Sequence, residues 1–169
     1  MKGGCVVWIT GLPGVGKTCV ATALFQQLRE RGVQSVWLDG DEMRRELWPD
    51  AGYDELARRR LAAAYARLAV SLAQQDTVVV VSVVALFASV REWLSDHAPA
   101  YLEVLVQCPE SARIARIPAI GRRGLEVGRE LSAEMPLRPD LVIDNDAGRE
   151  CIPTYARRIA ACLDVRQAV

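Results

Sequence analysis

The 169-residue chain alternates between short apolar runs and longer stretches whose apolar residues recur at helical spacing. Cys5 to Thr10 is a β-rich apolar run that ends at a glycine, and Lys17 to Arg31 follows with Val20, Ala23, Leu24 and Leu28 at helical intervals. Strand, glycine loop, helix is the reading. Gly32 is placed to close that helix, and Val33 to Leu38 predicts a second strand that stops at Asp39, opening another β-α unit. Glu55 to Ala73 is rich in alanine and leucine with arginines on one face, which predicts a long helix covering a sheet. Thr77 to Val84 is nearly continuous valine, the pattern of a central strand buried on both faces.

Further along, Val90 to His97 predicts a helix stopped by Pro99, Tyr101 to Val106 a strand, and Glu110 to Arg116 a helix ending before Pro118. From Ile117 to Arg138 the pattern breaks into glycines, prolines and charges, which makes about 117–138 a lid candidate. Leu141 to Ile143 and Tyr155 to Val165 then predict a fifth strand and a closing helix. The expected fold is a three-layer α/β/α domain around a parallel five-stranded sheet, one domain over residues 1–169.

Composition narrows the function classes. Acidic and basic residues balance to a net charge of +0, so no polyanion-binding surface is expected and nucleic acid is not an expected partner. Lysine occurs only at Lys2 and Lys17, which makes the position of Lys17 informative. Cys5, Cys19, Cys108, Cys151 and Cys162 are widely spaced without a CxxC pair. They are expected to be buried small hydrophobes in a reducing cytoplasm. No apolar stretch reaches the roughly 18 residues of a membrane span, so a soluble, cytoplasmic protein without a membrane partner is expected.

The chemistry is carried first by Gly11, Leu12, Pro13, Gly14, Val15, Gly16, Lys17 and Thr18, which satisfy GxxxxGK[ST] between a predicted strand and a predicted helix. Glycines let backbone N–H groups wrap phosphate oxygens, Lys17 would reach the β and γ phosphates, and the Thr18 hydroxyl would ligate Mg²⁺. The alternative is a plain glycine turn before a helix. The motif predicts a P-loop site for ATP and Mg²⁺. Asp39-Gly40-Asp41 lies at the carboxyl end of the second strand, where ligands gather in doubly wound sheets. Two carboxylates there can divide metal ordering and proton acceptance, or one of them can serve simply as a helix N-cap.

Val7-Trp-Ile-Thr-Gly-Leu-Pro-Gly, then Leu38-Asp-Gly-Asp-Glu-Met-Arg44, Gly52-Tyr53 and Arg58 together resemble the adenylyl-sulfate kinase family. The likeness extends through Leu86 to Trp93, Tyr101-Leu-Glu-Val, Arg116, and Glu134-Met-Pro136 before Pro139 to Asp144. The resemblance implies that Asp41 is the acceptor-side base and that Asp39 helps order Mg²⁺. Arg44 and Arg58 would then hold the acceptor's oxyanions, Tyr53 would stack on its base, and Arg116 would join the nucleotide site. A homodimer is implied by the same likeness.

Two departures fall on the acceptor half. Arg116-Ile-Pro118 stands where the family's lid begins with Arg-Asp, and Leu61 stands where the family has a substrate-contacting asparagine. Arg122 and Arg123 are candidates to replace the missing lid lysine, or else are solvated loop charges. The expected activity is transfer of the γ-phosphate of ATP to a hydroxyl of adenylyl sulfate or a similar anionic, nucleotide-like small molecule. Cytidine diphosphoramidate is an alternative acceptor, and a nucleotide-binding switch without kinase activity is the alternative class.

Overall fold

Among the residues described by the computed structural model, 3–116 and 133–166, five strands alternate with six helices. The first half comprises β1 Cys5–Thr10, α1 Lys17–Glu30, β2 Ser35–Asp39, α2 Gly40–Leu47, α3 Glu55–Ala73 and β3 Val78–Ser82. The second comprises α4 Ala88–His97, β4 Tyr101–Gln107, α5 Glu110–Arg116, β5 Leu141–Asp144 and α6 Ile152–Arg166. Every strand pairing is parallel, in the order β2-β3-β1-β4-β5. Most of the expected lid, residues 117–132 with Arg122 and Arg123, lies outside the described residues.

The apolar runs of β1 and β3 are continuous because both faces of the sheet are covered. Cys5, Val7 and Ile9 face one layer, where Val20, Leu24 and Leu28 of α1 and Ile159 and Leu163 of α6 pack on them. Val6 and Trp8 face the other, with Ala62, Ala66 and Ala69 of α3 and Val90 and Leu94 of α4. Each fully buried valine, leucine or isoleucine side chain stabilises the fold by about 1.5–3 kcal/mol. Since α1 leaves β1 on one face and α4 leaves β3 on the other, the neighbouring ends of β1 and β3 border the crevice of a topological switch point.

The helix that follows β2 was not expected as a separate element. It begins at Gly40, a poor helix former, and depends on Asp39, whose side chain caps it by accepting from the N–H groups of Asp41 and Glu42. The final helix starts three residues before the expected Tyr155, with Pro153 tolerated in its first turn. The cysteines also depart from expectation: Cys5 is buried, but Cys108, Cys151 and Cys162 are half-buried and Cys19 is exposed on the first turn of α1. A helix leaving a phosphate loop turns one side of its first turn outward.

Candidate active site

Gly11 to Gly16 joins β1 to α1, and Gly16 serves as the N-cap of α1 in the left-handed region at φ 99° with no side-chain cap. The first N–H groups of α1 are therefore left for a ligand. Asn145, just beyond β5 and only 5% exposed, holds the loop by donating from Nδ2 to the Val15 carbonyl at 2.8 Å. A Cβ at Gly16 would lie 2.4 Å from that nitrogen, so the contact admits only glycine here. Leu12, Pro13 and Gly14 complete the loop between Gly11 and Val15.

Lys17 is 8% exposed, and its Nζ donates to the Leu12 carbonyl at 3.0 Å. Burial pushes its pKa down to about 8, against the attraction of Asp41 and, less strongly, Asp39. An ammonium held under the loop by a single neutral acceptor is poised for anionic oxygens. The Asp39 carboxylate is the most connected group nearby. Its Oδ2 accepts from the hydroxyls of Thr18 at 3.0 Å and Ser82 at 2.8 Å, while Oδ1 accepts from the N–H groups of Asp41 at 3.0 Å and Glu42 at 3.3 Å. The N-cap reading of Asp39 is realised at the start of α2, and the other carboxylate oxygen reaches Thr18 of the phosphate loop. Gly40 permits this turn, because a Cβ there would come within 2.7 Å of Val83 Cγ1.

Beyond α2 the chain builds a cationic platform. Arg44 Nη1 donates to the carbonyls of Ala51 at 3.2 Å and Gly52 at 2.8 Å, and Arg58 Nε donates to the Tyr53 carbonyl at 2.8 Å. The guanidinium carbons of Arg44 and Arg58 lie 4.3 and 5.7 Å from the Tyr53 ring centroid. Tyr53 therefore engages two cations with its ring. Arg58 is more readily deprotonated than an ordinary arginine, first through burial and then through the nearby Arg44 charge, with Asp41 opposing. Two like charges held together in a partly buried place suit an anion. Asp41 is exposed at the start of α2 and acts electrostatically on both Lys17 and Arg58.

Arg116, at the end of α5, donates from Nη2 to the Asn145 carbonyl at 3.3 Å, so it joins the loop through the residue that braces Val15. Leu61 of α3 is buried in the core, packed with the layer that covers Val6 and Trp8. Sequence reasoning missed Asn145, Ser82 and Tyr65, whose hydroxyl donates to the Gly40 carbonyl at 3.3 Å. It also missed the function of Glu134, which accepts from the Ala88 N–H at 2.6 Å and pairs with Arg59 at 3.4 Å. Asn145 and Ser82 lie outside any short motif, and a polar residue at a strand end was the available signal for them.

Residues 3–144 match the family described as adenylylsulphate kinase. The probable adenylyl-sulfate kinase of Archaeoglobus fulgidus is 32% identical over 148 residues, which cover 83% of this chain and 96% of that protein. The cytidine diphosphoramidate kinase of Campylobacter jejuni is 29% identical over 151 residues, 83% of this chain and 85% of that one. Among solved structures, the Mycobacterium tuberculosis APS kinase CysC in complex with AMPPNP and APS aligns with a TM-score of 0.85 at 26% identity, over 97% of this chain and 99% of its own. With its family model matched over residues 3–144 and a relative 32% identical over 148 residues, the chain belongs to the adenylylsulphate kinase family.

Proposed function

We propose that the protein transfers the γ-phosphoryl group of ATP to a hydroxyl of adenylyl sulfate or a closely similar anionic nucleotide. The observation that carries this reading is the phosphate loop with Lys17 buried beneath it, bonded through Thr18 to the Asp39 carboxylate that caps the turn carrying Asp41. Lys17 and the N–H groups at the start of α1 hold the β and γ phosphates, and Arg44 and Arg58 hold the acceptor's oxyanions. The Asp41 carboxylate takes the acceptor's hydroxyl proton as its oxygen bonds to the γ phosphorus and the bond to ADP breaks.

The oxygen donors of Thr18 and Asp39 fit Mg²⁺, a hard cation. Among the described residues no group of three or more acidic, cysteine or histidine side chains is placed to hold a metal by itself, so the ion would depend on the nucleotide's phosphates. Bound there, it would supply charge neutralisation between the phosphates.

The acceptor test is a coupled ADP-release assay over adenylyl sulfate, cytidine diphosphoramidate and simple alcohols. Stimulation by adenylyl sulfate is expected. Preference for cytidine diphosphoramidate would favour the second acceptor, to which the Campylobacter jejuni similarity and the loss of the asparagine at Leu61 point. Silence with every acceptor, with ATP binding intact, would make the protein a nucleotide-binding switch. Asp41→Asn should lower turnover by about 100-fold or more and leave ATP binding in place. The family resemblance also supports a homodimer, which light scattering on the purified protein would decide.

A further inference from the structure

Strands β2 and β3 pair in parallel with Asp39 opposite Ser82. Residues 37 and 39 share one face of β2, so the Trp37 indole, Ser82 and Asp39 meet at the end of the sheet. Trp37 Nε1 donates to Ser82 Oγ at 3.0 Å, and Ser82 Oγ donates to Asp39 Oδ2 at 2.8 Å, the same oxygen that accepts from Thr18. Ser82 is 3% exposed, so its own bonds to Trp37 and Asp39 are partly shielded from competing water. The Trp37 ring is held from its other side by Phe25 of α1, centroid to centroid 6.5 Å.

Donor and acceptor chemistry gives this chain of bonds one direction. An indole N–H can only donate, so it occupies a lone pair of Ser82 and sends the single serine proton to Asp39. Asp39 Oδ1 is committed to the backbone of α2, so Oδ2 is the oxygen turned to the phosphate loop, and Ser82 fixes where it points. Thr18 then gives its own proton to Oδ2, which leaves its lone pairs directed away from Asp39 and available to a cation. We propose that Trp37 and Ser82 are positioning residues that act through Asp39 to set the Thr18 hydroxyl for the Mg²⁺ of Mg-ATP. The proposal rests on the reading of Thr18 and Asp39 given above.

The experiment measures ATP binding to the full chain by calorimetry with and without Mg²⁺, for wild type, Ser82→Ala, Ser82→Thr and Trp37→Phe. In wild type, Mg²⁺ is expected to tighten ATP binding. Ser82→Ala should lose about tenfold of that Mg²⁺-dependent gain, the loss typical of a hydrogen bond to a charged group, and Trp37→Phe about threefold, as for a neutral one, while metal-free ATP binding stays unchanged. Ser82→Thr should restore it. Independently of binding constants, the Trp37 indole N–H resonance of ¹⁵N-labelled wild type should shift when Mg-ATP is added and should shift less with ATP alone. Trp37 is only half-buried, so its phenylalanine variant tests the relay even if Ser82→Ala fails to fold. If wild type shows the Mg²⁺ gain but both variants retain it and the indole signal does not respond, the relay is overturned with the site reading intact. If wild type shows no gain, the site reading falls and takes the relay with it.

Discussion

Lys17 holds an ammonium inside a folded protein with one carbonyl as its bonded partner, and the consequence is a proton affinity depressed to about 8. Its unfolded value is roughly 10.4, so between the two the unfolded chain binds more protons and stability rises with pH across that window. ATP works in the opposite sense, because polyphosphate beside the amine favours its charged form. Binding at pH 8.5 should therefore take up a proton, approaching about one per ATP. Calorimetry in two buffers of different ionisation enthalpy reads this directly; equal apparent enthalpies would contradict the depressed lysine. Gly40 permits a second residue-scale prediction. Gly40→Ala drives a Cβ against Val83 and displaces the turn that carries Asp39 and Asp41, at a cost of about 1–3 kcal/mol from overpacking. Turnover should fall more steeply than urea stability, and a variant with full turnover would show that the aspartate turn tolerates movement.

At the scale of elements, the site is assembled from the ends of four strands, with β3 contributing Ser82. β1 delivers the phosphate loop, β2 delivers Asp39, and β5 delivers Asn145, whose amide braces the loop from the far side. Asn145→Ala leaves the Val15 carbonyl without that donor and should cost about 1–3 kcal/mol of stability. ATP affinity should weaken roughly tenfold as the loop loosens, with adenylyl sulfate affinity little changed. Comparable losses for both ligands would show instead a general collapse of the β5 end. Elements were legible in the sequence where a run was long and uniform, as with α3, whose bounds Glu55–Ala73 were read without error. The start of α2 was not legible. Its first residue is a glycine, and its stability comes from a cap that also serves the site, so local propensity pointed to a turn.

For the molecule as a whole, the two layers are also tied by polar contacts remote from the phosphate loop. Arg91 of α4 and Glu103 of β4 pair at 3.0 Å with side chains 10% and 12% exposed, and burial raises the proton affinity of Glu103 more than Arg91 lowers it. Removing one partner strands the other charge, so Arg91→Ala should destabilise the fold by about 3–5 kcal/mol in urea unfolding while the folded fraction binds ATP as before. A loss below about 1 kcal/mol would mean that water replaces the guanidinium. Among the described residues no helix is long and apolar enough to cross a membrane.

The sequence by itself determined the phosphate-loop motif, the position of the two aspartates at the end of the second strand and the alternation of strands with helices. These are written in neighbouring residues, where hydrophobic period and turn chemistry act over a few positions. Only the tertiary structure decided that Ser82 meets Asp39 from 43 positions away and that Asn145 meets Val15 from 130. Strand order and register set such meetings, and they follow from how the whole sheet packs its two apolar faces rather than from any short stretch of chain.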